Sequence, residues 1–190
     1  MTKKEVIWRE ILYQAWEKRV FKFTQQELAK KFGFSVSTVF NALKLPRQSG
    51  AIKVTGRFFE VIDKEKFLTI WATLRNLSKE IIYQTRVDLP VNKIVGQLPA
   101  EVILGGYSAY QQRFKETPAD YDKVYVYAKD LSAIKKRFSS EKGLANLIVL
   151  KIDDYLTYFL EFNALLALRA KYVALNSRLK QLALSSFDNS

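Results

Sequence analysis

Residues 23–46 read FTQQELAKKFGFSVSTVFNALKLP, a pattern typical of two short helices separated by a tight turn. Thr24 and Glu27 have the spacing of a capping box, in which a hydroxyl and a carboxylate satisfy free backbone N–H groups. A helix is therefore predicted over 25–32. It is predicted to stop at Gly33, because glycine adopts the left-handed conformation at little cost.

The second helix of this pair has its own start and stop signals. Ser35 is a favoured N-cap, so a helix is predicted over 36–45. Pro46 is predicted to end it, because proline cannot continue the hydrogen-bond ladder. An apolar stripe over 6–16 predicts a longer helix in front of the pair. Two helices joined by a tight glycine-containing turn, with a third in front, form a helix-turn-helix.

The chain continues with strand-like sequence and then alternates between helix and strand patterns. Residues 51–62 read AIKVTGRFFEVI, in which two β-rich segments flank Thr55-Gly56-Arg57 and predict a hairpin. Three helices and a two-stranded hairpin predict a winged helix-turn-helix over 1–64. A mixed-sheet domain is predicted over 65–190, closed by helices over 155–184. The predicted fold class is therefore α+β with two domains.

The composition excludes several kinds of chemistry. The 190 residues include no His and no Cys. This excludes a histidine-based catalytic triad, a thiol nucleophile, a disulfide and a Cys/His zinc site. No apolar run approaches the ~18 residues that span a bilayer, and the first residues lack the apolar core of a signal peptide. We therefore expect a cytoplasmic protein without a membrane partner.

The positive charge is concentrated in the predicted winged helix. The formal net charge is +12. Residues 22–57 hold seven Lys and Arg residues and one acidic residue, Glu27, whereas the rest of the surplus is spread over 66–190. A local basic surplus indicates a polyanionic partner, most simply nucleic acid, and with a winged helix-turn-helix we expect double-stranded DNA. The alternative is a winged helix that contacts another protein.

The predicted third helix supplies the side chains that would contact bases. Val39, Ala42 and Leu43 are predicted to face inward. Ser, Thr and Asn side chains can hydrogen-bond bases, and Asn can bind adenine through two bonds. Val36 and Phe40 do not fit the pattern: they either pack locally or contact a thymine methyl group. The predicted DNA-binding residues are Ser35, Ser37, Thr38, Asn41, Lys44, Arg47, Lys53 and Arg57.

The basic residues in this set have a different predicted role. Lys44 and Arg47 lie where phosphates would run along the helix. Lys53 and Arg57 lie on the wing and suit the flanking backbone or the minor groove.

A second motif indicates an enzymatic alternative. Gly105-Gly106 follows a short apolar segment and resembles the glycine pair of nucleotidyltransferases, which opens a helix towards a triphosphate. Asp120 and Asp122 follow at a permissible spacing, and such a pair can hold magnesium for phosphoryl transfer. However, Lys123 follows the pair and the strand is predicted to start at Val124, so both carboxylates precede the strand. A magnesium-dependent nucleotidyltransferase using Asp120 and Asp122 is therefore the alternative function.

Several motifs in order resemble one known family. They are the winged-helix pattern over 23–62, KFLTIWA at 66–72, LGGYSAY at 104–110 and VYVY at 124–127. With these motifs the chain resembles the AbiEi-type transcriptional regulators, the antitoxins of type IV toxin–antitoxin systems. The resemblance implies a winged helix followed by a nucleotidyltransferase-like domain that has lost its active site.

The resemblance also implies a function. In that family the winged helix represses its own operon by binding promoter repeats, and the partner gene encodes a nucleotidyltransferase toxin. We therefore expect a DNA-binding repressor that is not an enzyme and needs no cofactor. The toxin need not contact it directly, and the chain is expected to be a monomer or a homodimer.

Overall fold

The fold is described by a computed structural model over residues 1–115, 121–138 and 142–156. The described chain is mixed α and β, as predicted, and contains two sheets. It divides into two compact units, Met1–Arg75 and a second unit that begins at Asn76. No helix in the described ranges is long and apolar enough to cross a membrane.

The first unit combines helices with a small antiparallel sheet in the order β1-β3-β2. The sequence predicted only β2 and β3, because β1 is three residues long and too short for a visible alternation. The elements in chain order are α1 (Lys3–Tyr13), a π-helical turn (Gln14–Lys18), β1 (Lys22–Thr24), α2 (Gln25–Phe32), α3 (Val36–Gln48), β2 (Ile52–Thr55), β3 (Phe58–Val61) and α4 (Lys64–Leu74).

Helix α2 begins and ends at the predicted residues. The Thr24 hydroxyl accepts a hydrogen bond from Glu27 N at 3.1 Å, and the Glu27 carboxylate accepts from Thr24 N at 3.0 Å. Gly33 closes the helix with a φ of +63°. Both backbone signals in the sequence are thus confirmed.

Helix α3 continues through Pro46, so the prediction that Pro46 ends it is wrong. Proline has no N–H, and the Ala42 carbonyl one turn earlier therefore lacks its intrahelical donor. The indole Nε1 of Trp8 donates to that carbonyl at 2.7 Å in the buried interior. A side chain of α1 thus satisfies the acceptor that Pro46 leaves free and fixes α1 against α3.

Helix α4 belongs to the first unit. The Asp63 side chain caps it by accepting from Lys66 N at 2.8 Å. Phe67 and Trp71 are buried, and the Phe67 ring meets the Trp8 ring edge-on with centroids 5.7 Å apart. The chain therefore divides after Arg75, one helix later than the predicted boundary at residue 64.

The second unit is built on a mixed sheet in the order β4-β7-β6-β5. Strands β6 and β7 are parallel, and the two outer pairs are antiparallel. The predicted segment 155–184 lies outside the described residues except for its first two. The elements are a 3-10 turn (Leu77–Glu80), β4 (Ile81–Thr85), α5 (Val91–Gly96), β5 (Ile103–Gly105), α6 (Gly106–Phe114), β6 (Val124–Ala128), α7 (Ser132–Arg137) and β7 (Leu147–Lys151).

Both faces of this sheet are apolar, since side chains alternate along each strand. On one face, Val126 and Val149 pack with Ile94 of α5 and Ile134 of α7. On the other face, Tyr127 of β6 packs with a cluster that includes Ile103 and Leu150. Tyr127 is therefore a core residue of this unit.

Candidate nucleic-acid interface

Helix α3 presents a buried and an exposed face at the predicted positions. Val39, Ala42 and Leu43 are buried in the core of the first unit. Ser37, Asn41 and Lys44 are exposed, and Thr38 is half-buried. The structure therefore brings Ser37, Asn41 and Lys44 together on one solvent-facing strip, because positions three and four apart are neighbours on a helix.

The start of α3 is held by a cluster of three hydroxyls. Ser35 Oγ accepts from Thr38 N at 3.2 Å. The same oxygen lies 2.9 Å from both Ser37 Oγ and Thr38 Oγ1. Ser35 thus caps the helix and orders its neighbours, while Ser37 stays exposed at the helix end that would meet base edges.

Val36 and Phe40 lie beside this polar strip with about half of each side chain in solvent. Val36 is 46% exposed and Phe40 is 45% exposed. The ammonium of Lys44 lies 5.5 Å from the centroid of the Phe40 ring, within the range of a cation–π interaction. These two apolar residues are therefore surface residues of α3, which the sequence pattern alone did not establish.

The hairpin of β2 and β3 carries the other basic residues. It turns at Gly56-Arg57, where Gly56 has a φ of +59° at the first central position, as a type II′ turn requires. Lys53 and Arg57 are both exposed. In the sheet register, Lys53 stands opposite Glu60, which also stands opposite Lys22. Arg57 at the tip is farther along the hairpin from this carboxylate than Lys53.

The stretch 28–59 has six Lys and Arg residues and no acidic residue. One of the six, Lys31, is used inside the unit: its ammonium lies 2.6 Å from the carboxylate of Glu10, which is buried in α1. Gln14 also donates to this carboxylate at 2.8 Å. This pair was not predictable from a local pattern, because Glu10 resembles an ordinary surface residue of an amphipathic helix. The five other basic residues are exposed: Lys30, Lys44, Arg47, Lys53 and Arg57.

The glycine pair of the second unit faces aromatic rings. A Cβ placed on Gly105 would lie 3.0 Å from Tyr127 Cε2. One on Gly106, whose φ is +55°, would lie 3.3 Å from Tyr125 Cδ2. The two glycines therefore give room to the side chains of β6 at the start of α6, the place where the nucleotidyltransferase pattern would hold phosphate.

The structure describes only one of the two candidate metal ligands of the nucleotidyltransferase alternative. Asp122 lies in the loop before β6, and Asp120 lies outside the described residues. Within the described ranges, no group of three Asp, Glu, His or Cys side chains could hold a metal ion. Burial raises the pKa of Tyr125, and the Asp122 carboxylate and Tyr107 raise it further.

No protein-family model, curated protein or solved structure matches this chain. The resemblance of its motifs to the AbiEi-type regulators stays a prediction from the sequence. A function therefore has to be inferred from the chemistry of the described residues.

Proposed function

We propose that the protein is a sequence-specific regulator of transcription that binds duplex DNA through a winged helix-turn-helix in its first unit. The observation that carries this proposal is the exposed strip of Ser37, Asn41 and Lys44 on α3. It lies within a stretch of 32 residues, 28–59, that has no acidic residue. A polar helix face flanked by basic residues is suited to binding in the major groove of DNA.

Helix α3 would lie in the major groove with its first turns against the bases. In helix-turn-helix proteins the N-terminal residues of the second helix contact base edges. Asn41 is then placed to bind adenine through two hydrogen bonds, and Ser37 can donate to or accept from a base. Lys44 and Arg47, farther along the helix, neutralise phosphates and fix the position of the helix on the duplex.

The hairpin would extend the contact beyond the groove that α3 occupies. Arg57 stands at the turn, where a guanidinium can reach phosphate or enter a narrow minor groove. Lys53 can contact the backbone, although Glu60 opposite it reduces the local positive potential. Arg57 is therefore expected to contribute more to binding than Lys53.

The proposed biological role is repression of the protein's own operon, as the antitoxin of a type IV toxin–antitoxin pair. The resemblance to AbiEi-type regulators supports this role. The second unit supports it too, because Tyr125 and Tyr127 lie against the glycines where a nucleotidyltransferase would hold triphosphate. We infer that this unit has a nucleotidyltransferase-like fold without the activity.

A binding titration tests the proposal. The full chain is titrated into labelled DNA from upstream of its own gene, and into a shuffled duplex of equal length, at two salt concentrations. We expect tighter binding to the upstream DNA at both concentrations, with an affinity that falls as salt rises because condensed counterions are released. Equal, weak binding to both duplexes that vanishes with salt would contradict a regulator and leave only generic charge attraction.

A further inference from the structure

Helix α3 carries an apolar flank directly beside its polar strip. We define this flank as Val36 and Phe40, which are four residues apart and therefore neighbours on the helix surface. Each exposes nearly half of its side chain. Ser37 and Asn41 follow them in sequence, so the flank runs alongside the residues proposed to bind bases. The DNA-binding proposal does not use it.

The charges around the flank restrict what can cover it. The surrounding stretch 28–59 has no carboxylate, and the Lys44 ammonium stands 5.5 Å from the Phe40 ring centroid. These charges favour a partner that brings negative charge and an apolar group to the same place. Duplex DNA does both, because its backbone is anionic and the C5 methyl group of thymine projects into the major groove.

The length of the surface fits a short run of base pairs. Eight residue steps separate Val36 from Lys44, which corresponds to about 12 Å along a helix axis. Base pairs stack at about 3.4 Å, so this face of α3 covers roughly three to four pairs. Phe40 and Asn41 lie in the middle of it, where a methyl contact and an adenine contact would fall on the same or adjacent A·T pairs.

We propose that Phe40 and Val36 contact thymine C5 methyl groups in the major groove, next to an adenine bound by Asn41. The apolar flank thereby selects for thymine, and the bound site contains neighbouring A·T pairs. This inference rests on the proposed DNA-binding function and specifies which bases it recognises.

The test changes the DNA and leaves the protein unchanged. A tight-binding duplex is first selected from a random library with the full chain. It is then synthesised with deoxyuridine in place of thymidine, one position at a time, which removes a methyl group and preserves base pairing. We expect about four-fold weaker binding for each contacted methyl group, the effect of one buried methyl-sized group.

Two variants on α3 locate the contact. Phe40→Ala is expected to bind the thymine duplex more weakly and to respond less to the deoxyuridine exchange. Leu45→Ala is the matched control, because Leu45 is also a large exposed residue of α3, at 38%. It lies five residue steps from Phe40, about 140° around the helix. This variant is expected to keep the full response, and thermal unfolding checks that both variants remain folded.

The outcomes separate this inference from the function on which it rests. Selective binding with equal affinity for thymine and deoxyuridine duplexes would overturn the methyl contact and leave the DNA-binding function intact. If Phe40→Ala also bound DNA as tightly as the unchanged protein, the flank would be free in the complex and suited to a protein partner. Absence of any selective binding would overturn both.

Discussion

Each unit has glycine near the start of a helix, but the surroundings of these glycines differ: Gly33 closes α2 just before Ser35, the N-cap of α3, whereas Gly105 is the N-cap of α6 and Gly106 its first residue. Before α3, Gly33 has nothing within 4 Å of the position of a Cβ, and the helix that follows exposes polar and basic side chains. Before α6, the side chains of Tyr127 and Tyr125 stand against Gly105 and Gly106. The first helix start is open to a partner, whereas the second is filled by its own unit.

A glycine pattern before a helix therefore does not by itself make an anion site. Backbone N–H groups at a helix start attract phosphate only where the phosphate has room. In the second unit that room is reduced by β6, because Gly105 pairs with Tyr125 and Ile103 pairs with Tyr127 across the sheet. The same motif is thus consistent with a ligand site or with internal packing. The side chains of the neighbouring strand determine which of the two it is.

Substitution of Gly33 and of Gly106 by alanine tests this comparison. The expected loss of unfolding free energy is the largest effect predicted. Gly33→Ala and Gly106→Ala meet similar backbone strain, since φ is +63° and +55°. That strain costs about 1–2 kcal/mol in each. We expect Gly106→Ala to lose about a further 1–3 kcal/mol, because its Cβ crowds the Tyr125 ring.

Denaturant unfolding can separate the two units in this measurement. All three Trp residues lie in the first unit, at positions 8, 16 and 71. Tryptophan fluorescence therefore follows the unit that contains Gly33, and far-ultraviolet circular dichroism follows both. Equal destabilisation by the two substitutions would contradict the crowding at Gly106.

Asn41→Ala tests whether the exposed face of α3 determines which DNA sequence the protein prefers. We expect the preference for the upstream DNA over a shuffled duplex to fall by roughly 1–3 kcal/mol, the discrimination of one bidentate contact. Affinity for the shuffled duplex should change little. Asn92→Ala is the matched control, since Asn92 is an exposed asparagine of α5 in the second unit. An unchanged preference in Asn41→Ala would remove the residue from the base contacts.

The basic residues of the β2–β3 hairpin are expected to act on affinity for all sequences alike. Replacing Lys53 and Arg57 by Ala should weaken binding to both duplexes by about ten-fold at low salt, and should reduce the salt slope by about two. Replacement of Lys123 and Lys129, two exposed lysines of the second unit, gives the charge-matched control. If the control variant loses as much affinity, Lys53 and Arg57 contribute to DNA binding only through their net charge.

We expect the smallest effect for nucleotide binding at the start of α6. Calorimetric titration of the full chain with nucleoside triphosphates and magnesium should give no binding, and Asp122→Ala should behave in the same way. The rings of Tyr127 and Tyr125 lie against Gly105 and Gly106, and we expect them to leave too little room for a triphosphate there. Magnesium-dependent binding that is lost in Asp122→Ala would support the nucleotidyltransferase alternative.

The features that the sequence predicted best depend on near neighbours in the chain. The capping pair Thr24 and Glu27, the stop at Gly33 and the N-cap Ser35 all act over five residues or fewer, so a local pattern contains the whole interaction. The inward and outward positions of α3 follow from helix periodicity for the same reason.

The features that it missed depend on distant residues. Pro46 stays inside α3 because Trp8, far away in sequence, satisfies the Ala42 carbonyl. Lys31 forms an ion pair with the buried Glu10 of α1, 21 residues earlier in the chain. The contact of the Tyr125 ring with Gly106 depends on the register of β5 against β6. None of these contacts has a signal within a window of one helix or strand.

Lysine footprinting shows whether the exposed strip of α3 and the β2–β3 hairpin bind DNA. The full chain is acetylated with and without the selected duplex, and the modification of each lysine is read by mass spectrometry. We predict that DNA protects Lys44 on α3 and Lys53 on the hairpin, while Lys31, held by Glu10, changes less. Equal acetylation of Lys44 and Lys53 with and without DNA would show that DNA binds neither α3 nor the hairpin.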